Sequence, residues 1–154
     1  MNMNCIVVDT SVAIKWAIKE EDSHIALALL YELTDKGLII LAPGLLSYET
    51  TNVLYQHIRK GLFSLDEAQA ALSEIIFDLI TFDFTHTSDL CIRAIQLAQQ
   101  FALPAAYDAQ YLALAESKQC ELWTADKRLW RAVKDQLSWV RWLGDYQPAP
   151  AEDA

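Results

Sequence analysis

The chain predicts an α/β fold: a compact three-layer α/β/α domain built on a central parallel sheet. Three observations predict it. Short apolar runs rich in β-branched residues alternate along the chain with segments of helical periodicity. Connections are short, with no internal repeat or long linker. The length, 154 residues, fits a single domain that buries enough of its chain to need no disulfide staples.

The elements follow in order. Cys5-Ile-Val-Val-Asp9 reads as a buried strand ending in an acid. Thr10 or Ser11 caps a helix carrying Val12, Ile14, Trp16 and Ile18. Residues 21–36 form a second helix with Ile25, Leu29, Leu30 and Leu33 as its apolar stripe, ended by Gly37 in a left-handed cap. Residues 38–41 are the second strand, closed by Ala42-Pro43-Gly44 and followed by a helix to about residue 60 that Gly61 stops. Ser64-Leu-Asp-Glu67 is a capping box opening a helix to about Asp78. Residues 79–84 are the third strand, and 87–101 and about 105–118 are helices parted by Leu103-Pro104. Residues 121–124 are the fourth strand, about 126–135 a short basic helix, and 139–142 a fifth strand at the edge. The domain is expected to span 1–147, and 148–154 reads as a flexible tail.

Hydrophobic residues make up 53% of the chain and charged ones 21%, the profile of a soluble globular protein. No stretch reaches the ~18 uncharged apolar residues that span a bilayer, and the N-terminus lacks the pattern of a secretory signal. Cys5, Cys91 and Cys120 are odd in number and widely spaced. They read as thiols of a reducing, cytoplasmic compartment rather than a metal or disulfide framework. The formal charge of −9 is unlike the basic footprint of most nucleic-acid binders. Either the substrate is not nucleic acid, or a local basic patch and a bound metal offset that field, or a basic partner covers the acidic surface.

In open parallel sheets, ligands sit beyond the carboxyl ends of the strands, where the strand order reverses. Two acids stand at such ends: Asp9, in Asp9-Thr10-Ser11, and Asp126, in Thr124-Ala125-Asp126. Two more, Glu49 and Asp108, interrupt apolar helices, where an unpaired charge is costly. Asn52 lies three residues beyond Glu49, on the same side of its helix. Four carboxylates at one place repel each other, and no Lys or Arg is interleaved with them except on the helix after Asp126. A divalent cation is the simplest counter-charge, and an oxygen-only ligand set favours Mg²⁺ or Mn²⁺ over Zn²⁺. Each acid also has an ordinary reading, Asp9 and Asp126 as helix caps and Glu49 and Asp108 as solvated helix residues; the case rests on the four together. Lys127, Arg128, Arg131 and Lys134 are the densest basic cluster, either a solvated helix face or a set of RNA phosphate contacts beside Asp126. Trp123, Trp130, Trp139 and Trp142 read as packing residues rather than base-stacking platforms.

Taken together, Val-Val-Asp9-Thr-Ser-Val, Pro43 with Glu49-x-x-Asn52, Tyr107-Asp108-Ala-x-Tyr-Leu-Ala-Leu-Ala and Leu-Trp-Thr124-Ala-Asp126-Lys-Arg-Leu resemble the PIN-domain family, especially its VapC-type toxins. The resemblance covers about residues 4–145, and the last two motifs, in this order and spacing, are its more specific part. It implies a sheet of order 3-2-1-4-5 and an Mg²⁺- or Mn²⁺-dependent ribonuclease whose acidic residues are Asp9, Glu49, Asp108 and Asp126. It further implies that Thr10, Ser11, Asn52 and Thr124 support them, that the chain forms a homodimer, and that a small antitoxin blocks the site. That partner would dock beside the early helices, with Trp16, Ile18, Leu29 and Leu30 offering apolar contact. The alternative is a non-catalytic PIN-like binding module. A phosphotransfer receiver needs paired acids at the first strand, and a dehalogenase-type phosphatase needs Asp-x-Asp; Asp9-Thr10-Ser11 meets neither.

Overall fold

A computed structural model describes residues 1–150; residues 151–154 of the expected tail lie outside the described residues. Five strands form one sheet in the order β3-β2-β1-β4-β5, with every neighbouring pair parallel. They are β1 (Cys5–Val8), β2 (Ile39–Pro43), β3 (Thr81–Asp83), β4 (Glu121–Thr124) and β5 (Val140–Trp142). β1 is central and wholly buried, which is why its sequence is an unbroken apolar run rather than an alternating one. It pairs Cys5 with Ile39 on one side and Val8 with Trp123 on the other. The chain runs from β1 outward to β2 and β3, then returns to add β4 and β5 on the opposite side. The reversal therefore falls between β1 and β4, and a crevice opens beyond their carboxyl ends.

Among the described residues, seven α-helices cover the sheet: α1 (Thr10–Ala17), α2 (Ser23–Asp35), α3 (Leu45–Arg59), α4 (Leu65–Ala70), α5 (Thr87–Gln100), α6 (Tyr107–Lys118) and α7 (Lys127–Val133). Gly37, with φ of 65°, ends α2 as expected, its neighbour Leu38 returning a hydrogen bond to Leu33 at 3.0 Å. Ser64 caps α4 through the Glu67 N–H at 3.1 Å. The single helix expected to run to Asp78 instead changes character at Ala71 and continues to Phe77 as a π-helix. The wider turn shifts the phase of the side chains so that Ala71 and Ile76 are both buried. β3 begins two residues later than the apolar run suggested, because Leu79 still belongs to the end of that helical segment.

The main core fills both faces of the sheet, and a smaller cluster of Ile14, Ile18, Leu54, Ala68 and Ala71 joins α1, α3 and α4. One expectation is overturned here. Trp16, Ile18, Leu29 and Leu30 are only 6%, 6%, 2% and 8% exposed, and the Trp16 indole donates to the Ala26 carbonyl at 2.8 Å. Packing of α1 and α2 on the sheet consumes Trp16, Leu29 and Leu30, and the smaller cluster with α3 and α4 consumes Ile18, so they offer no surface to a partner. The tryptophans do pack: Trp123 meets Tyr146 edge-on, and Trp130 stacks on Trp142 at 5.3 Å. Cys5 and Cys120 are buried and Cys91 is half-buried, all as free thiols. Among the described residues, no helix is long and apolar enough to cross a membrane.

Candidate active site

Asp9 stands where β1 becomes α1, at the carboxyl end of the central strand. Its Oδ1 accepts the Val12 N–H at 3.3 Å and so caps α1. The same oxygen accepts the Ser11 hydroxyl at 2.5 Å, and Oδ2 accepts the Thr124 hydroxyl at 2.5 Å. Capping α1 therefore does not use up this carboxylate, which also engages side chains at the ends of β1 and β4. Ser11 Oγ in turn accepts the Ala125 N–H at 2.8 Å, and Thr124 Oγ1 accepts the Asp126 N–H at 3.0 Å. Two of these bonds, Thr124 to Asp9 and Ala125 to Ser11, tie the end of β1 to the end of β4 across the crevice.

Asp126 caps α7, its Oδ1 accepting the Arg128 N–H at 2.9 Å and the Leu129 N–H at 3.3 Å. Asp108 lies half-buried in the first turn of α6, where the helix dipole favours a negative charge. Glu49, in the second turn of α3, accepts hydrogen bonds from the Tyr111 hydroxyl and from Thr10 Oγ1, the latter at 3.1 Å. Thr10 Oγ1 and the Tyr111 hydroxyl are themselves 2.9 Å apart, so three side chains from α1, α3 and α6 close into one network.

Tyr111 is the residue the sequence reading missed. It is 1% exposed, and a buried phenol needs a partner for its O–H. The available signal was its place three residues after Asp108, on the same side of a helix that is otherwise small or apolar. Burial and the adjacent Glu49 carboxylate hold its pKa far above the ordinary phenol range, so it remains a proton donor. Asn52 is exposed, its amide oxygen meeting the Gln56 amide at 3.5 Å rather than any of the four acids. Lys127, Arg128, Arg131 and Lys134 are exposed along α7, with Lys127 lying over the Trp142 ring and Lys134 over that of Trp130.

The electrostatics of the crevice are strained by design of its residues. Burial pushes the Asp9 carboxyl up to about 7 against the lowering pull of Ser11, Thr124 and Val12, and Asp108 adds to the rise. Burial also raises Asp108, followed by the charges of Asp126 and Glu49, with only Arg128 opposing. The acids thus feel one another across an open crevice. As placed, no three His, Cys, Asp or Glu side chains among the described residues converge into a closed ion cage. Repelling, desolvated carboxylates lined by hydroxyls, with one arginine nearby, are a donor set suited to a hard divalent cation.

Comparison with known proteins agrees with this architecture. The family model of the PIN domain matches residues 6–135. Ribonuclease VapC3 of Pyrobaculum aerophilum is 32% identical over 129 residues, covering 80% of this chain and 91% of that protein. The structure of VapBC-1 from nontypeable Haemophilus influenzae superposes with a TM-score of 0.60 over 90% of this chain and 96% of that one. At 13% identity, that last likeness is one of fold.

Proposed function

The chain belongs to the PIN-domain family, of VapC type, and from that premise we propose that it is an Mg²⁺- or Mn²⁺-dependent endoribonuclease, the toxin of a toxin–antitoxin pair acting in the cytoplasm. One observation carries the reading: the ends of β1 and β4 are hydrogen-bonded through Ser11 and Thr124 so that Asp9 faces the crevice shared with Asp108 and Asp126. The relative named a ribonuclease supports RNA as the substrate. Asp9, Asp108 and Asp126, with Glu49, would hold the metal. Such an ion lowers the pKa of water and offsets charge developing on a phosphate.

The chain's own residues have definable parts. Ser11 and Thr124 fix the Asp9 carboxylate by donating to both of its oxygens, which leaves it no rotameric freedom. Tyr111 and Thr10 hold Glu49 toward the crevice from the opposite wall. Lys127, Arg128, Arg131 and Lys134 supply phosphate contacts next to Asp126 and offset locally a chain whose net charge is −9. Asn52, exposed three residues beyond Glu49, would be a supporting polar group of the site.

Purified protein cutting single-stranded RNA in Mn²⁺, and Asp9→Asn losing that cleavage and weakening Mn²⁺ binding while keeping its circular dichroism, is the expected result. Undiminished Mn²⁺-dependent cleavage by Asp9→Asn overturns the site. A protein that binds no Mn²⁺ at all returns the chain to the non-catalytic binding module.

The antitoxin is supported by the likeness to VapC3 and by the fold shared with VapBC-1; the homodimer rests on the resemblance to VapC-type toxins alone. With Trp16, Ile18, Leu29 and Leu30 buried, the antitoxin's apolar contact belongs to the groove between α3 and α4, where Tyr55 and Leu65 are 55% and 60% exposed.

A further inference from the structure

Beside the acids lies an apolar cavity of about 350 Å³ that none of the roles above employs. It opens at the carboxyl ends of β2 and β3, bounded by Pro43-Gly44 and Asp83-Phe84. In an all-parallel sheet those ends share one rim with Asp9 and Thr124. The cavity is therefore one to two strand spacings, about 5–10 Å, from the end of β1. Three of its walls are aromatic and open to solvent: Tyr48, Phe84 and Tyr107 are 73%, 67% and 66% exposed. Exposed rings gathered at one place mark a binding surface.

The helices that carry these rings also carry the acids. On α3, Tyr48 precedes Glu49, and on α6, Tyr107 precedes Asp108. Successive residues of a helix point about 100° apart, so both helices turn one face to the acids and the adjoining face to the cavity. Phe84 packs closely on Gly44, where an added Cβ would meet its ring at 2.5 Å. The lining offers a polar group with spare capacity: among the described residues, the Gln110 amide engages only the Cys91 sulfur, at 3.6–3.8 Å. Gln can donate and accept at once along the edge of a base.

We infer that this cavity is a nucleobase pocket, in which a base flanking the scissile phosphate is splayed from its strand, held among Tyr48, Phe84 and Tyr107 and met at its edge by Gln110. Aromatic stacking with an edge contact is how single-stranded RNA is read. The pocket rests on the nuclease reading, because it is the crevice acids that place a phosphate within one nucleotide of it. It makes Tyr48, Phe84, Tyr107 and Gln110 determinants of substrate choice rather than of bond cleavage.

The test is titration of the full chain in Mg²⁺ with the four nucleoside 5′-monophosphates and with ribose 5-phosphate, followed by NMR of the aromatic resonances. At least one nucleotide is expected to shift the Tyr48, Phe84 and Tyr107 signals, and ribose 5-phosphate is not. Tyr48→Ala and Tyr107→Ala, both at exposed positions, should each weaken nucleotide binding and lower kcat/KM on RNA by about 5-fold or more, and Tyr31→Ala on α2 should do neither. Nucleotides and ribose 5-phosphate behaving alike, or RNA cleavage indifferent to both substitutions, overturns the pocket. So does sedimentation showing that Tyr107→Ala dissociates a dimer, since the face then belongs to a second copy. Nucleotide binding through these rings in a protein that cuts no RNA keeps the pocket and removes the nuclease reading.

Discussion

Asp9 shows at residue scale what the crevice costs the protein when no cation is bound. Its folded pKa of about 7 lies above the ordinary 3.8, so between about pH 4 and 7 the native state holds a proton that the unfolded chain has released. Stability therefore falls as pH rises through that window, by at most about 4 kcal/mol. Thermal melts in chelator should show this decline in the wild type and a flatter profile in Asp9→Asn, and added Mg²⁺ should reverse the decline only in the wild type. A second residue-scale prediction concerns Tyr111. Tyr111→Phe removes the donor to Glu49 and leaves Thr10 without its neighbour, costing about 1–2 kcal/mol in stability. As a positioning change it should also weaken Mn²⁺ affinity about 10-fold or more, a readout that loss of packing alone would not move. Asp9 and Asp126 were legible in the sequence because they follow strands. Tyr111 was not, because a buried tyrosine in an apolar helix reads as core until its hydroxyl is seen to meet Glu49 from a segment 62 residues away.

Among the elements, β3 is the one that depends most on an ionic clasp. It is three residues long at the edge of the sheet, and Asp83 at its end meets the Lys118 ammonium at 2.7 Å, joining β3 to the last turn of α6. Burial alone would raise the Asp83 carboxyl, but Lys118 and Thr85 outweigh it and hold the carboxyl at about 2. A depressed folded value means the stabilisation is present above the unfolded pKa near 4 and is lost as pH falls toward 2. Asp83→Asn should cost about 1–2 kcal/mol in urea unfolding at pH 7, the difference from wild type narrowing as pH falls from about 4 to about 2. A constant difference across that range would mean that hydrogen bonding, not charge, makes the clasp. The caps at Gly37 and Ser64 were readable because the chemistry of a cap is local. The π-helical stretch Ala71–Phe77 was not, since its wider turns answer to the burial of Ile76.

At the scale of the whole molecule, the proposed homodimer calls for a surface that a second copy could cover. Ile92 and Ile95 are 56% and 65% exposed and lie three residues apart on α5, hence on one face. We propose that a homodimer forms through this face, next to the cavity that Thr87, Leu90 and Cys91 of the same helix help to line. Ile95→Asp should then give a monomer by light scattering with its fold intact, and a dimer unchanged by that substitution moves the interface elsewhere. The net charge of −9 acts at the same scale: in the proposed ribonuclease, RNA would approach over α7 and Lys134 at its end, where four of the chain's twelve basic residues are gathered, so binding should weaken with added salt.

By itself, the sequence determined the alternation of strands and helices, the buried character of β1 and the two acids at strand ends. Each of those follows from periodicity or from chemistry within a few residues. Its resemblance to the PIN-domain family carried the strand order that the fold then displayed. Only the tertiary structure decided that Ser11 and Thr124 bridge β1 to β4, that Tyr111 and Thr10 hold Glu49, and that Asn52 stays in solvent. It also decided that Trp16, Ile18, Leu29 and Leu30 are core rather than docking surface. The reason is physical: an apolar stripe states that a side chain will be buried, and a carboxylate states that it needs a partner. Neither states against what, and that depends on contacts between residues far apart in the chain.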